Sequence, residues 1–210
     1  MELESIEVIS DQRVGQGGFL LLRRLRLRMV RADGSRTAEG TWDYVERPVG
    51  LDAVVVALYR RRGGQVEVLL RSGLRVPLQF GRPHPPEGLL FPELVAGILE
   101  RGEESAAAAQ RRAADEALEE AGLRIDAGSV EILGPPLHPT PGMCAELFHF
   151  VRAEVGEQEA SLPQGDGSPF EEGARLEWVA LDEALARCAR GEIRDLKTEL
   201  GLRRLRESLG

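Results

Sequence analysis

The stretch from Glu103 to Gly122 constrains the fold of this 210-residue chain more than any other. It is rich in alanine and contains no proline and no β-branched residue, so nothing in it opposes a helix. Gly122 is suited to end such a helix as its C-cap. The sequence therefore predicts a single helix from about Ser105 to Ala121.

Three glutamates share one flank of this predicted helix. Glu116 and Glu120 lie about 40° apart, and Glu119 lies about 60° to the other side of Glu116. Like charges at this spacing repel one another unless a cation lies among them. Carboxylate oxygens suit a hard divalent ion such as Mg²⁺. On the helix alone, a solvated acidic face is the simpler interpretation, and the residues around the helix decide against it.

The surrounding residues resemble the Nudix box, whose pattern is G-x5-E-x7-R-E-U-x-E-E-x-G-U, with U a bulky apolar residue. The matching positions are Gly97, Glu103, Glu116, Glu119, Glu120, Gly122 and Leu123. The resemblance implies an α/β (α+β) fold, a Nudix α/β/α sandwich with a mixed sheet, and hydrolysis of a diphosphate bond.

Two departures from the pattern affect the helix. The interval between the two halves is four residues too long, and Asp115 stands where the family has arginine. Four residues add about 400° of helix, a net turn of roughly 40°, so one extra helical turn changes the face little. Arg111 or Arg112 is then expected to replace the missing arginine, and Arg112 lies four residues before Glu116, within pairing distance.

Composition narrows the function classes. A net charge of −8 argues against a nucleic-acid or membrane surface. No apolar run approaches the roughly 20 residues needed to cross a bilayer, and the N-terminus has no signal-peptide pattern, so a cytoplasmic location is expected. Cys144 and Cys188 are too few and too isolated for a disulfide framework or a zinc site.

Residues 1–50 are predicted to form a separate β-rich unit, before a main domain at 51–210. In residues 24–29, leucine and methionine alternate with arginine, and Asp33-Gly34 makes a hairpin turn. An antiparallel hairpin of this size needs a surface to pack on, either the main domain or a partner subunit. The arginines are interpreted as a solvated strand face.

Two later segments are predicted to be loops. Residues 77–92 are rich in proline and glycine, and residues 156–173 are polar and acidic.

Features along the whole chain resemble the ADP-ribose and nucleoside-diphosphate-sugar pyrophosphatases within this family. They include the N-terminal hairpin, the segment Pro139–Glu146 and the segment Gly191–Thr198. Members of that branch are homodimers that exchange the N-terminal hairpin, so the resemblance implies a homodimer through residues 1–50 and a small-molecule nucleotide-sugar substrate.

The same resemblance assigns roles to individual residues. Mg²⁺, with Mn²⁺ as a substitute, would be held by the Ala96 carbonyl, Glu116 and Glu120, with Glu119 sharing a metal or supporting the cluster. The general base would be Glu172, or else Glu171. Substrate contacts would come from Trp42, Arg71, Glu146 and Gly97. Ordinary hairpin packing for Trp42, a surface charge for Arg71 and a solvated position for Glu146 stay open.

The implied reaction is Mg²⁺-dependent hydrolysis of ADP-ribose or a related nucleoside diphosphate sugar to a nucleoside monophosphate and a sugar phosphate. The longer box and Asp115 leave one alternative, a catalytically impaired dimer that binds nucleotide sugars. A hydrolase of nucleoside triphosphates or capped RNA is a second alternative.

Overall fold

The computed structural model describes residues 2–84, 86–161 and 173–210. The chain divides into two compact units. The N-terminal unit is Met1–Leu51 with Thr140–Glu146, and the main unit is Asp52–Pro139 with Leu147–Gly210.

The N-terminal unit is a three-stranded antiparallel sheet in the order β1-β2-β3. Its strands are β1 (Leu3–Val14), β2 (Leu21–Arg31) and β3 (Gly40–Glu46). The antiparallel hairpin around Asp33-Gly34 is present as β2 and β3. Strand β1 was not predicted, because no clear apolar–polar alternation marks it. It pairs with β2 along nearly its whole length.

The two faces of this sheet differ in chemistry. On one face, the arginines of β2 pair with acidic residues, as in Arg24–Asp43 at 2.6 Å and in the bonds of Arg26 and Arg28 to Glu39. The opposite face is largely apolar, with Leu25, Leu27 and Met29 of β2 beside Trp42 of β3.

The main unit is built on a seven-stranded mixed sheet. Its strands are β4 (Ala53–Arg62), β5 (Gln65–Leu74), β6 (Leu90–Glu93), β7 (Val95–Ile98), β8 (Glu131–Ile132), β9 (Phe148–Glu154) and β10 (Arg175–Ala180). The order is β10-β5-β4-β9-β8, with β6 on β5 and β7 on β4. Strands β4 and β9 are parallel, and the other pairs are antiparallel.

Helices cover both faces of this sheet. They are α1 (Val76–Phe80), α2 (Ala106–Ala121), α3 (Leu181–Ala189) and α4 (Leu196–Leu209). Alternate residues of β4 divide between two cores, because successive side chains of a strand point to opposite faces. Val54 packs with the alanines of α2, and Val55 packs with Leu202 and Leu205 of α4. The predicted α/β/α sandwich is confirmed.

The described residues of the segment 77–92 contain more regular secondary structure than predicted. Pro77 lies in the first turn of α1, where its missing N–H breaks no helical hydrogen bond. Pro92 lies in β6, which among the described strands pairs with β5 alone. The prediction of a loop, which was based on the proline-rich composition, therefore missed a short helix and an edge strand. Among the described residues, no helix is long and apolar enough to cross a bilayer.

Candidate functional site

Helix α2 begins and ends as predicted. The Ser105 side chain accepts a hydrogen bond from the Ala108 N–H at 3.2 Å, and Gly122 ends the helix in the left-handed region with φ of 67°. The helix runs without a break between these caps. The four extra residues of the box are therefore absorbed as about one further helical turn.

Glu116 is the innermost carboxylate of α2. It is 6% exposed, and its side chain lies directly over Gly97 in β7. A Cβ at position 97 would be 1.7 Å from the Glu116 Oε1 atom. Only glycine therefore leaves room for this carboxylate between helix and sheet.

Glu120 lies one turn further along α2 and meets the same strand. Its Oε2 accepts the Ala96 N–H at 3.3 Å, and its Oε1 is 3.6 Å from Arg71 Nη1. The N–H and C=O of one strand residue point to the same edge, so the Ala96 carbonyl is on the side that Glu120 faces. Arg71 itself lies over Gly73, where a Cβ would be 2.8 Å from Nη1.

Arg112 pairs with Glu116, and Arg111 does not share that contact. Arg112 Nη2 is 2.8 Å from Glu116 Oε1 and 3.9 Å from Glu119 Oε2. Arg111 and Asp115 are exposed. Of the two arginines considered from the sequence, Arg112 therefore has the position from which it can orient the carboxylates.

Burial makes the two inner carboxylates hard to ionise. Burial first, and then the charge of Glu120, raise the pKa of Glu116 to about 7, while Arg112 opposes the rise. Burial also raises the pKa of Glu120, with Arg71 acting in the opposite direction. A bound cation would favour the ionised form of both groups.

The donor set fits a divalent ion. Within the described part of the chain, no three Asp, Glu, His or Cys side chains are gathered as a metal cluster. The Glu119 side chain is 60% exposed, so two carboxylates and the Ala96 carbonyl are the donors on this side. Mg²⁺ is commonly held by one or two carboxylates, with water and substrate phosphate completing its shell.

A second charged group, not predicted from the sequence, lies on the neighbouring strand. Glu93 ends β6 and forms ion pairs with Arg75 and Lys197. Lys197 also bonds Asp195 at 2.7 Å. One sequence signal was available: Glu93 is an acidic residue inside the otherwise apolar run 89–95.

Two predicted substrate residues lie in the N-terminal unit. Trp42 is 53% exposed and lines an apolar cavity of about 380 Å³ with Leu25, Tyr44 and Cys144. Glu146 forms an ion pair with Arg47, so it is not simply solvated.

The predicted bases Glu171 and Glu172 lie outside the described residues. The described residues on either side of them belong to the neighbourhood of the carboxylates. Ser161 donates its N–H to Ala121 O at 2.9 Å, at the end of α2, and Leu176 is paired with Arg71 across β10 and β5.

Comparisons with known proteins identify the family of the chain. Residues 50–202 match the family described as NUDIX domain. The chain belongs to this family and is a Nudix hydrolase. Enzymes of the family generally use divalent metal ions.

One relative is similar over almost the whole chain. GDP-mannose pyrophosphatase of Cronobacter sakazakii is 31% identical over 201 residues, which are 96% of this chain and 95% of that protein.

Solved structures agree in fold. A crystal structure of an ADP compounds hydrolase aligns with a TM-score of 0.67 and 14% identity over 100% of this chain and 96% of its own. The NUDIX domain of Shewanella oneidensis NrtR, complexed with ADP ribose, aligns with a TM-score of 0.53 and 16% identity over 77% of this chain and 89% of its own.

Proposed function

We propose that the protein hydrolyses the diphosphate bond of a nucleoside diphosphate sugar, with Mg²⁺ as its ion and Mn²⁺ as a substitute. The products are a nucleoside monophosphate and a sugar phosphate. The observation that carries the proposal is the buried pair Glu116 and Glu120, packed against Gly97 and Ala96 of β7. GDP-mannose and ADP-ribose are the substrates to test first, because the similar pyrophosphatase is named for GDP-mannose and the similar NrtR domain was solved with ADP ribose.

The ion would be held by Glu116, Glu120 and the Ala96 carbonyl, with Glu119 at its solvent side. When bound, the ion would neutralise the negative charge of the diphosphate and lower the pKa of a bound water molecule. Gly97 keeps the space that the Glu116 carboxylate occupies, and Arg112 holds that carboxylate in place.

The remaining roles belong to groups around the ion. Arg71, buried beside Glu120, is positioned to neutralise a phosphate oxygen of the substrate. Glu172, with Glu171 as the second choice, would accept the proton of the attacking water. The support for this choice is that Ser161 bonds Ala121, next to Glu120, and that Leu176 is paired with Arg71.

The N-terminal unit would serve the substrate and the dimer. Trp42 offers an exposed aromatic face for a nucleobase, and the Arg47–Glu146 pair lies in the same unit. Ile6 and Val8 are more than half exposed on the apolar face of the sheet, which supports a homodimer formed through this unit. Light scattering of the purified chain tests this, and a monomer would contradict it.

The decisive experiment is a substrate panel. The full chain is incubated with Mg²⁺ and GDP-mannose, ADP-ribose, a further nucleotide sugar or GTP. Products are separated by anion-exchange chromatography, and the products of the nucleotide sugars are then checked for sensitivity to alkaline phosphatase. We expect phosphatase-sensitive products from at least one nucleotide sugar and none after EDTA treatment.

Two results of the panel would contradict the proposal. Binding of a nucleotide sugar without cleavage would make the protein a binding module, and preference for GTP would make it a triphosphate hydrolase. The unbroken helix α2 and the Arg112–Glu116 pair support hydrolysis over the alternative of impaired catalysis.

A further inference from the structure

Glu93 is a buried acid that the proposed mechanism does not use. It is 2% exposed, and its two oxygens each meet a cation: Oε1 pairs with Arg75, just before α1, and Oε2 pairs with Lys197, in the first turn of α4. Lys197 is itself largely buried. One carboxylate therefore joins two cations from elements far apart in sequence.

The triad of Glu93, Arg75 and Lys197 lies beside the carboxylates of α2. Glu93 is the direct partner of Arg71 in the pairing of β5 and β6, and such partners project from the same face of a sheet. Arg71 is in turn 3.6 Å from Glu120. Ala96 follows Glu93 by three positions along the chain. The two cations are therefore held at the edge of the candidate site.

Stability alone is a weak reason for this arrangement. A buried ion pair contributes little net stability, because desolvation of the charges offsets their attraction, and apolar residues of similar size often stabilise a fold as well. What the triad does produce is a fixed position for two cations. A diphosphate substrate brings negative oxygens that the carboxylates of α2 would repel without such cations.

We propose that Glu93 is a positioning residue that fixes Arg75 and Lys197 where they meet a phosphate of the diphosphate substrate. This rests on the proposed function. Glu93 does not touch the substrate and acts through the two cations.

The test is Glu93→Gln in the full-length protein, assayed with the nucleotide sugar that the wild-type protein hydrolyses. Glutamine keeps the shape and removes the charge that orders the cations. We expect KM to rise about tenfold or more with kcat within about threefold, because the phosphate contacts exist in both the ground state and the transition state. The matched control is Glu177→Gln, which loses an exposed ion pair to Arg187. Mn²⁺ binding by this control and its thermal midpoint should equal those of the wild type.

A double-mutant cycle shows whether Glu93 acts through Lys197. If it does, adding Glu93→Gln to Lys197→Met should raise KM by a smaller factor than Glu93→Gln raises it in the wild type, because Glu93 then fixes Arg75 alone. Additive effects would overturn the inference. So would an unchanged KM in Glu93→Gln, and so would a lower KM, which would show that Glu93 competes with the phosphate.

A further variant keeps the inference testable if Glu93→Gln does not fold. If Glu93→Gln does not fold, Arg75→Gln provides the test, because the Arg75 side chain is 46% exposed. It should raise KM with kcat retained, and an unchanged KM overturns the inference. A wild-type protein that cleaves no diphosphate in the panel overturns the proposed function itself, whereas wild-type activity with an unaffected Glu93→Gln overturns this inference alone.

Discussion

The N-terminal sheet and helix α2 both place arginines beside carboxylates, yet the two sets of charges differ in their contact with water. On the sheet, the Arg24–Asp43 pair is substantially exposed, whereas at α2 the Arg112–Glu116 pair is mostly enclosed. Exposed ion pairs contribute about 0–1 kcal/mol to the free energy of unfolding. Buried charges instead destabilise a fold unless each has a partner of opposite charge. This difference in burial, and not the number of arginines, is the reason for placing the candidate site at α2.

The largest effect should follow from neutralising a buried carboxylate. Glu120→Gln keeps the size of the side chain but removes a charged oxygen donor, and we expect turnover with Mg²⁺ to fall by about 10³-fold, at or beyond the loss of a single transition-state donor. Steady-state kinetics measures the loss, and circular dichroism checks that the fold is kept. Near-normal activity would refute the assignment of Glu120.

The space beneath Glu116 provides a second way to disturb the buried charges. Gly97→Ala places a methyl group on the carboxylate, so Glu116 must move, and activity should fall about 10²-fold. Gly142→Ala is the matched control, because a Cβ there meets nothing within 4 Å. Equal activity of the two variants would show that the position of Glu116 is unimportant.

The raised pKa of Glu116 predicts an unusual pH dependence of stability. The folded protein keeps a proton on Glu116 up to about pH 7, while the unfolded chain loses it near 4.5. The free energy of unfolding should therefore fall as pH rises from about 4.5 to about 7, by about 3 kcal/mol in all.

This pH dependence is measured by urea unfolding of the protein after EDTA treatment. Glu116→Gln should remove that part of the dependence, and added Mg²⁺ should stabilise the wild type more at pH 8 than at pH 5. A wild-type profile that matches that of Glu116→Gln would contradict the prediction.

A smaller effect is expected at the arginine that orients the carboxylates. Arg112→Ala should reduce activity by about 10–100-fold, the range found when a group supporting metal ligands is lost. Arg111→Ala, on the exposed side of the same helix, should stay near the wild-type rate. If Arg111→Ala is the more damaging change, the assignment between the two arginines is reversed.

The smallest effect should come from the exposed pairs. Arg24→Ala should change the free energy of unfolding by less than about 1 kcal/mol and leave kcat unchanged. Chemical denaturation and the substrate assay measure both quantities. A loss of activity comparable to that of Arg112→Ala would remove the distinction between the two regions.

The sequence predicted the elements whose local signals agree. Helix α2 has a serine cap, a run of helix formers and a terminal glycine, so its bounds could be read directly, and Arg112 could be placed four residues from Glu116. These signals are local in the chain and need no knowledge of the tertiary structure.

Features that depend on distant partners could not be predicted. Strand β1 lacks a clear alternation, and its pairing with β2 decides its structure. The ion pairs of Glu93 with Arg75 and Lys197 join residues up to 104 positions apart, so sequence spacing gave no sign of them. The close approach of the Glu116 side chain to Gly97 likewise requires the packing of α2 on β7 to be known.

The most direct measurement is anomalous scattering from crystals grown or soaked with Mn²⁺. We expect a peak bonded to oxygens of Glu116 and Glu120 and to the Ala96 carbonyl, and no such peak in crystals of Glu120→Gln. Wild-type crystals in which these carboxylates keep only their arginine partners, with manganese bound elsewhere or not at all, would contradict the metal site on which the proposed hydrolysis depends.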